Sequence, residues 1–165
     1  MTAAVALSLF PRLRATGLLD LHHVALVQRA RPPAARLFSL PGGKLHRHEP
    51  IAACAAREAL EELGVRPHLL LPPFTATDAI AEGYHYAIVH VAAWVWQDSQ
   101  GALPLLRAGD DAAAAVWARV PGPPRLLTAP DTGAPLASSL PLAGPVLEVV
   151  GLAQRLLQAQ LLQLQ

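Results

Sequence analysis

Three glutamates lie close together in a short segment that carries helix signals at both ends. Glu58, Glu61 and Glu62 are at positions i, i+3 and i+4. Pro50 can occupy the first position of a helix, and Gly64 stands where a left-handed residue ends one. At 3.6 residues per turn, the three carboxylates fall within about 100° of the helix circumference. The segment therefore predicts an α-helix, ending just before Gly64, with all three acids on one face.

This row of carboxylates needs a compensating charge. Like charges at this spacing repel by roughly a few tenths of a kcal/mol per pair, and the C-terminal end of a helix also disfavours acids. Arg57 can pair with Glu61 four residues on, but one arginine does not balance three acids. A hard divalent cation does so better, because Mg²⁺ takes oxygen ligands and bridges substrate phosphates. The acids therefore predict a metal site.

The residues around the acids suggest how the helix is placed. The opposite side carries small apolar residues that predict close packing on a sheet: Ala52, Ala56, Ala59, Leu60 and Leu63. Gly42 and Gly43 precede the helix and allow a backbone carbonyl or amide to approach an ion or a phosphate. We therefore expect the acids to face a cleft beside a phosphate-binding loop.

Taken singly, each of these features is typical of an exposed helix and an ordinary turn. Together they match the spacing GX5EX7REUXEEXGU through seven fixed letters: Gly43, Glu49, Arg57, Glu58, Glu61, Glu62 and Gly64. Val65 suits the last aliphatic position. The chain thus resembles the Nudix hydrolase superfamily, with its Nudix box at residues 43–65. Ala59 departs from the pattern, which has Ile, Leu or Val there, so we expect looser packing without the loss of a ligand.

The resemblance continues outside the box, over roughly residues 5–120. It is carried by RARPPAARLFSLPGG from Arg29, by HYAIVHVAAWV from His85 and by AGDDAAAAVWARV from Ala108. These segments are similar to the ADP-ribose pyrophosphatase-like branch. The resemblance implies an α/β fold, the Nudix-type α/β/α sandwich with a mixed β-sheet and a catalytic loop–helix–loop. We expect one Nudix domain over residues 1–165.

The resemblance also implies roles for the residues of the box. Glu58, Glu61 and Glu62 would bind Mg²⁺ or Mn²⁺, and Glu58 would also orient or deprotonate the attacking water. Arg57 and Glu49 would brace these acids, while the Gly42 carbonyl would be a further metal ligand. Gly43 and Gly64 complete the motif.

Other candidates lie outside the box or in its loop. Many family members use an acid from a downstream loop, where this chain offers Asp110 and Asp111, and Asp111 is the candidate metal ligand. For substrate binding we expect Arg29, Phe38 and Tyr86. Further aromatic candidates are better explained as core residues: Tyr84, Trp94 and Trp117. His46 and His48, also in the box loop, are best explained as solvated.

The predicted reaction is metal-dependent hydrolysis of a phosphate anhydride in a nucleoside diphosphate derivative, with ADP-ribose the first substrate to try. One alternative is sanitisation of oxidised nucleoside triphosphates of the 8-oxo-dGTP type, which releases pyrophosphate. Another is a catalytically silent Nudix module that binds nucleotides or proteins, although the intact acids argue against it. The coenzyme A and NADH branches are less favoured, because their signatures are not found.

The composition limits the classes of ligand and the cellular location that we expect. The formal charge of +1, from 13 basic and 12 acidic residues, gives no field for a nucleic-acid polymer, so we expect a small-molecule nucleoside diphosphate-type substrate. The single cysteine excludes an internal disulfide. Charged and amide side chains interrupt the apolar stretch 145–165, so we expect no membrane span. We expect a cytoplasmic protein, with an organelle left open because Met1–Leu19 contains two arginines and no acid. The family resemblance leaves a homodimer open.

The remaining elements follow from apolar patterning. Strands are predicted at Val5–Phe10, Val24–Val27, Tyr84–Trp96 and Val116–Val120, and Leu37–Leu40 is a short apolar run that ends at Pro41. The strand at 84–96 is apolar enough to be central and buried on both faces. Residues 121–145 are rich in proline and glycine, which predicts a connection, and a C-terminal helix is expected at about residues 145–163.

Overall fold

The computed structural model describes residues 1–32, 34–70, 72–109, 112–121 and 133–163, with backbone only for 161–163. The strands are β1 (Thr2–Arg12), β2 (His23–Arg29), β3 (Phe38–Ser39), β4 (Gly42–Lys44), β5 (His68–Leu69), β6 (Thr75–Ala81), β7 (Tyr84–Trp96) and β8 (Ala112–Arg119). The helices are α1 (Ile51–Leu63) and α2 (Val146–Gln163), and a short 3₁₀ helix spans Ala137–Ser139.

The strands form two sheets, the first of them mixed. In the first, β7 pairs in parallel with β1 and antiparallel with β5 and β6, while β1 pairs antiparallel with β4. In the second, β2 pairs antiparallel with β3 and β8. The predicted central position of β7 is confirmed, because it has strands on both sides.

Side chains that alternate along the strands divide the core into two parts. Val5, Leu7 and Leu9 of β1 pack in one cluster with buried residues of α1. Phe10 belongs to the other cluster, which contains Val149 and other buried residues of α2. Since successive side chains of a strand point to opposite faces, the helices cover opposite faces of the β-layer. The predicted α/β/α sandwich with a C-terminal helix is confirmed.

The structure corrects the predicted face of α1. Its buried residues are Cys54, Ala55, Glu58, Ala59 and Leu63. Three residues expected to be buried are exposed instead: Ala52, Ala56 and Leu60. Alanine occurs on both sides of this helix, so the apolar pattern does not define one face, and the packing turns the cysteine and one glutamate inward.

Other differences concern the strands. The glycine-rich segment before α1 was expected to be a loop but forms β4 at a sheet edge, and β6 was not predicted. The first half of β7 is only half-buried, so the expected burial on both faces holds only for its second half. Among the described residues, no helix combines the length and the apolar character required to span a membrane.

Candidate active site

The predicted helix of the box is present. It ends before Gly64 as expected, and it begins at Ile51, one residue after the predicted start at Pro50. Pro50 is extended, with φ −65° and ψ 148°, and immediately precedes α1. Gly64 takes a left-handed conformation, with φ 69°, and follows the last helical residue. This conformation ends the helix at low cost because glycine has no Cβ atom. Hydrogen bonds from Arg57 to the Lys44 carbonyl and from the Gly42 amide to Glu62 place this helix beside β4.

Arg57 is the centre of the site's hydrogen-bond network. Its Nε donates to Glu49 Oε1 at 2.8 Å and its Nη2 to Glu49 Oε2 at 3.0 Å. Nη1 donates to Glu58 Oε1 at 2.7 Å and to Glu61 Oε2 at 3.0 Å. Nη2 also donates to the Lys44 carbonyl at 3.1 Å. One guanidinium thus connects the box loop, β4 and the acidic face of α1. The predicted pair with Glu61 is present, and the contact with Glu49 is an addition from the structure.

The partners of Glu49 keep it ionised. The hydrogen bonds from Arg57 and from the backbone N–H of His46 lower the pKa of Glu49 to about 2. In turn, the hydrogen bonds from Arg57 to the carboxylates raise the pKa of Arg57, and the bond to Glu49 has the largest effect. Glu49 is therefore negatively charged in the folded protein at neutral pH. Its two hydrogen bonds to Arg57 fix the plane of the guanidinium.

Glu58 is the most buried of the four glutamates of the box, with 8% of its surface exposed. Burial raises its pKa, and the Arg57 guanidinium opposes that shift. The carboxyl group lies directly against Gly43, where an added Cβ would overlap all three of its atoms. Gly43 therefore leaves space for the Glu58 carboxylate, whereas from the sequence Gly42 and Gly43 were expected to let a backbone carbonyl or amide approach an ion or a phosphate.

Glu61 and Glu62 differ from Glu58 in their surroundings. The side chain of Glu61 is 42% exposed and contacts Arg57. Glu62 accepts a hydrogen bond from the Gly42 N–H at 2.8 Å. The contact involves the N–H of Gly42 and not its carbonyl, so the predicted role of the carbonyl as a metal ligand stays a prediction. Together, the acids lie along the edge where α1 meets β4.

The chemistry of these donors fits a divalent metal ion. Two carboxylates, from Glu58 and Glu61, converge on a single cationic atom, Arg57 Nη1. Carboxylate oxygen is the donor that Mg²⁺ and Mn²⁺ prefer. Within the described parts of the chain, no three His, Cys, Asp or Glu side chains are gathered around one point as a metal site. Glu62 accepts from the Gly42 amide, and its role as a metal ligand beside Glu58 and Glu61 stays a prediction.

The floor of the site is apolar. Ala59 is fully buried in the cluster between α1 and the sheets. Cys54 is also fully buried, and its Sγ lies 3.8 Å from the Gly43 carbonyl and 3.6 Å from the Lys44 carbonyl. Burial raises the pKa of the Cys54 thiol to about 12. The thiol is therefore a neutral packing group beneath β4.

The predicted substrate-binding residues are dispersed. Phe38 is 9% exposed and packs in the core cluster beside α2. Arg29 ends β2 in the second sheet, where its N–H donates to the Leu37 carbonyl at 3.0 Å. Tyr86 is half-buried on β7, and the Lys44 ammonium lies 5.4 Å from its ring centre. Asp110 and Asp111 lie outside the described residues.

The structure adds Lys44 to this neighbourhood. Its carbonyl binds Arg57, and its side chain extends to Tyr86. Sequence reasoning missed it because a strand of only three residues, two of them glycine, gives no periodicity to read. Of the other aromatic candidates, Trp117 is a core residue as expected: it is 8% exposed, and its indole N–H donates to the Pro104 carbonyl at 2.8 Å. Tyr84 and Trp94 are half-buried rather than in the core. His46 and His48 are exposed, as expected.

A NUDIX domain family model matches residues 11–133, which include the whole box. The chain belongs to the NUDIX domain family. The family predicted from residues 43–65 is thus confirmed, and with it the enzyme class, that of the Nudix pyrophosphohydrolases. No curated protein sequence matches the chain.

Solved structures with the Nudix fold are similar to this NUDIX protein. A C. elegans Ap4A hydrolase in a binary complex superposes with a TM-score of 0.69 at 14% identity, over 96% of this chain and 99% of that one. A MutT/nudix family protein from Enterococcus faecalis gives 0.65 at 23% identity, over 92% of this chain and 60% of that protein. The NUDIX domain of Shewanella oneidensis NrtR, complexed with ADP ribose, gives 0.63 at 20% identity, over 95% and 88%. At these identities the likeness supports the fold alone.

Proposed function

We propose that the protein hydrolyses a phosphate anhydride in a small nucleoside diphosphate derivative, with Mg²⁺ or Mn²⁺ as the cofactor and ADP-ribose as the first substrate to test. The observation that carries this proposal is the convergence of Glu58 and Glu61 on one cationic atom of Arg57. The carboxylates of Glu58 and Glu61 already share one cationic group, the Arg57 guanidinium. In a hydrolase of this family, a metal ion would be shared in the same way.

Glu58, Glu61 and Glu62 would hold the metal. When bound, it would neutralise phosphate oxygens and make a water molecule more acidic. Glu58 is suited to orienting that water or accepting its proton, because burial raises the pKa of the carboxyl group and so makes the carboxylate a stronger base. Arg57 positions the acids and is held in place by Glu49.

The side chain of Lys44 is suited to the substrate phosphates. It starts from β4, beside the amide that binds Glu62, and extends to Tyr86. Within the described residues its ammonium has no carboxylate within 4.0 Å, so its charge is available to an anion. The half-buried Tyr86 would provide an aromatic surface at the same edge.

ADP-ribose comes first for two reasons. The segments that flank the box resemble the ADP-ribose pyrophosphatase-like branch, and a similar structure, the NrtR domain, holds ADP ribose. Asp111 would supply the additional acid that many family members take from a downstream loop. Asp111 and the Gly42 carbonyl are therefore further candidates for metal binding.

The test is a substrate panel with Mg²⁺ or Mn²⁺, followed by phosphorus NMR. ADP-ribose should give AMP and ribose 5-phosphate. Glu62→Gln should reduce kcat at least about a hundredfold, a typical cost for the loss of one charge-stabilising group. Glu148→Gln is the matched control, because it removes an exposed acid from the first turn of α2. Full activity of Glu62→Gln would refute the metal assignment.

The same panel separates the alternatives. Release of pyrophosphate from 8-oxo-dGTP, without turnover of ADP-ribose, would replace the proposed substrate by an oxidised nucleoside triphosphate. No turnover of any compound, with retained binding of nucleotides, would replace the enzyme by a silent module.

A further inference from the structure

A cluster of aromatic and basic side chains lies at the end of the first sheet, away from the box. Trp94 and Trp96 are near the end of β7, His68 is in β5, and Arg12 and Arg14 are at and beyond the end of β1. Within β1, Ala6 pairs with Gly42, which lies at the edge of the sheet next to the box, and Arg12 follows six residues later. At about 3.3 Å per residue, the cluster lies about 20 Å from that edge.

The rings and guanidinium groups of this cluster are stacked. His68 stacks on Trp94 with ring centres 4.2 Å apart and planes at 15°, and Trp96 meets Trp94 edge to face at 5.0 Å. The Arg12 guanidinium lies 4.6 Å from the Trp94 ring centre and 5.2 Å from that of Trp96. The Arg14 guanidinium lies 5.5 Å from Trp96. Cations at these distances are held by the ring faces.

Backbone contacts fix the orientation of both arginines. Arg12 Nε donates to the Gly17 carbonyl at 2.7 Å. Arg14 Nε donates to the Gln97 carbonyl at 2.7 Å and to the Asp98 carbonyl at 3.1 Å. Each guanidinium is thus held through its Nε atom, and within the described residues no hydrogen bond engages an Nη group of Arg12 or Arg14.

Neither charge is neutralised within the described part of the chain, where no carboxylate lies within 4.0 Å of Arg12 or Arg14. Asp20, the nearest acid in sequence, pairs with His23. The carboxylate of Asp98, whose carbonyl accepts from Arg14, is also engaged, because its Oδ1 accepts from the Gln100 and Ala102 amides at 2.9 Å. Trp96 is 37% exposed, although tryptophan side chains are highly buried on average. Positive charge and aromatic surface are therefore both open to solvent here.

We propose that Arg12, Arg14, Trp94, Trp96 and His68 form a second binding site, for a nucleotide, separate from the candidate active site. A planar base would stack on the exposed part of the Trp96 ring, as bases do on aromatic side chains, while His68 and Arg12 already pack on Trp94. The phosphate accepts from the guanidinium Nη groups, which match its geometry. With two arginines and a net charge of +1, the surface suits one nucleotide rather than a polymer.

The test measures binding of AMP by isothermal titration calorimetry in buffer with EDTA. AMP has no anhydride and the box has no metal, so the result does not depend on the proposed hydrolysis. We expect saturable binding that Arg14→Gln weakens about tenfold, the cost of one charged hydrogen bond. Trp96→Leu should weaken it by a similar factor through lost stacking. Arg155→Gln, which removes an exposed arginine from α2, is the matched control and should leave it unchanged.

Two comparisons complete the test. Adenosine and ribose 5-phosphate should each bind at least about tenfold more weakly than AMP, because each lacks half of the contacts. Arg14→Lys keeps the charge without the planar fork and should lie between wild type and Arg14→Gln. The proposal fails if AMP does not bind. It also fails if Glu62→Gln abolishes binding while folded Arg14→Gln, verified by circular dichroism, retains it.

Discussion

Replacement of Gly43 by alanine tests how the site depends on a single missing side chain. An added Cβ would overlap the carboxyl group of Glu58. Gly43 does not have the positive φ of a left-handed residue, so alanine adds steric overlap without backbone strain. Overpacking of this kind costs about 1–3 kcal/mol. The carboxylate can relieve it only by leaving its place, and a shift of about 1 Å in a catalytic group can cost a hundredfold in rate.

We therefore expect Gly43→Ala to fold, to lose about 1–3 kcal/mol of unfolding free energy in urea, and to lose at least about a hundredfold in kcat. Each kcal/mol corresponds to about 2–4 °C in Tm for a chain of this size. Gly83→Ala is the matched control. Its φ is 87° and no atom lies within 4 Å of the added Cβ, so it should cost stability through backbone strain and leave activity unchanged.

A second variant checks the cause. Glu58→Asp withdraws the carboxyl group by one methylene, so the double variant with Gly43→Ala should recover stability without recovering activity. Wild-type activity and an unchanged Tm in Gly43→Ala would refute the reasoning, because the Glu58 carboxylate would then not need the space beside residue 43.

Three further predictions concern ionisation and reactivity. Burial lowers the pKa of His90 to about 4 from 6.5, so the stability advantage of wild type over His90→Gln should be full above pH 6.5 and shrink as the pH falls toward 4 in urea titrations. The pKa of Glu49 is lowered to about 2 from 4.5, so the advantage over Glu49→Gln should be full above pH 4.5 and be lost toward pH 2. If the difference in unfolding free energy between wild type and Glu49→Gln did not change with pH, this expectation would be contradicted. The Cys54 thiol, with its pKa raised to about 12, should resist iodoacetamide at about pH 8 in the native protein and react in urea; mass spectrometry of the intact chain would detect premature labelling.

The parts of the fold that could be predicted are those with strong local signals. The start and end of α1 follow from Pro50 and Gly64, and the limits of β7 follow from a long β-branched and aromatic run. The pairing of Arg57 with Glu61 follows from helical spacing alone. These features depend on neighbours within a few residues, which a sequence states directly.

The parts that could not be predicted depend on contacts distant in the chain. Strand β4 exists because Gly42 and Gly43 pair with β1, nearly forty residues earlier. Glu58 is buried because that strand lies against it, and nothing in the helical pattern separates it from the exposed Glu61. The stack of Arg12 and Trp94 likewise depends on the parallel register of β1 and β7.

The outward face of α1 makes the site accessible to spectroscopic probes. Ala56 and Leu60 are exposed, one residue before Arg57 and one before Glu61. The only native thiol, Cys54, is buried and stays protonated at neutral pH. A cysteine introduced at position 56 or 60 would therefore be labelled selectively, without removing the native one. A fluorophore or spin label there would stand on the helix of the box and report rearrangement of its acids as ligands bind.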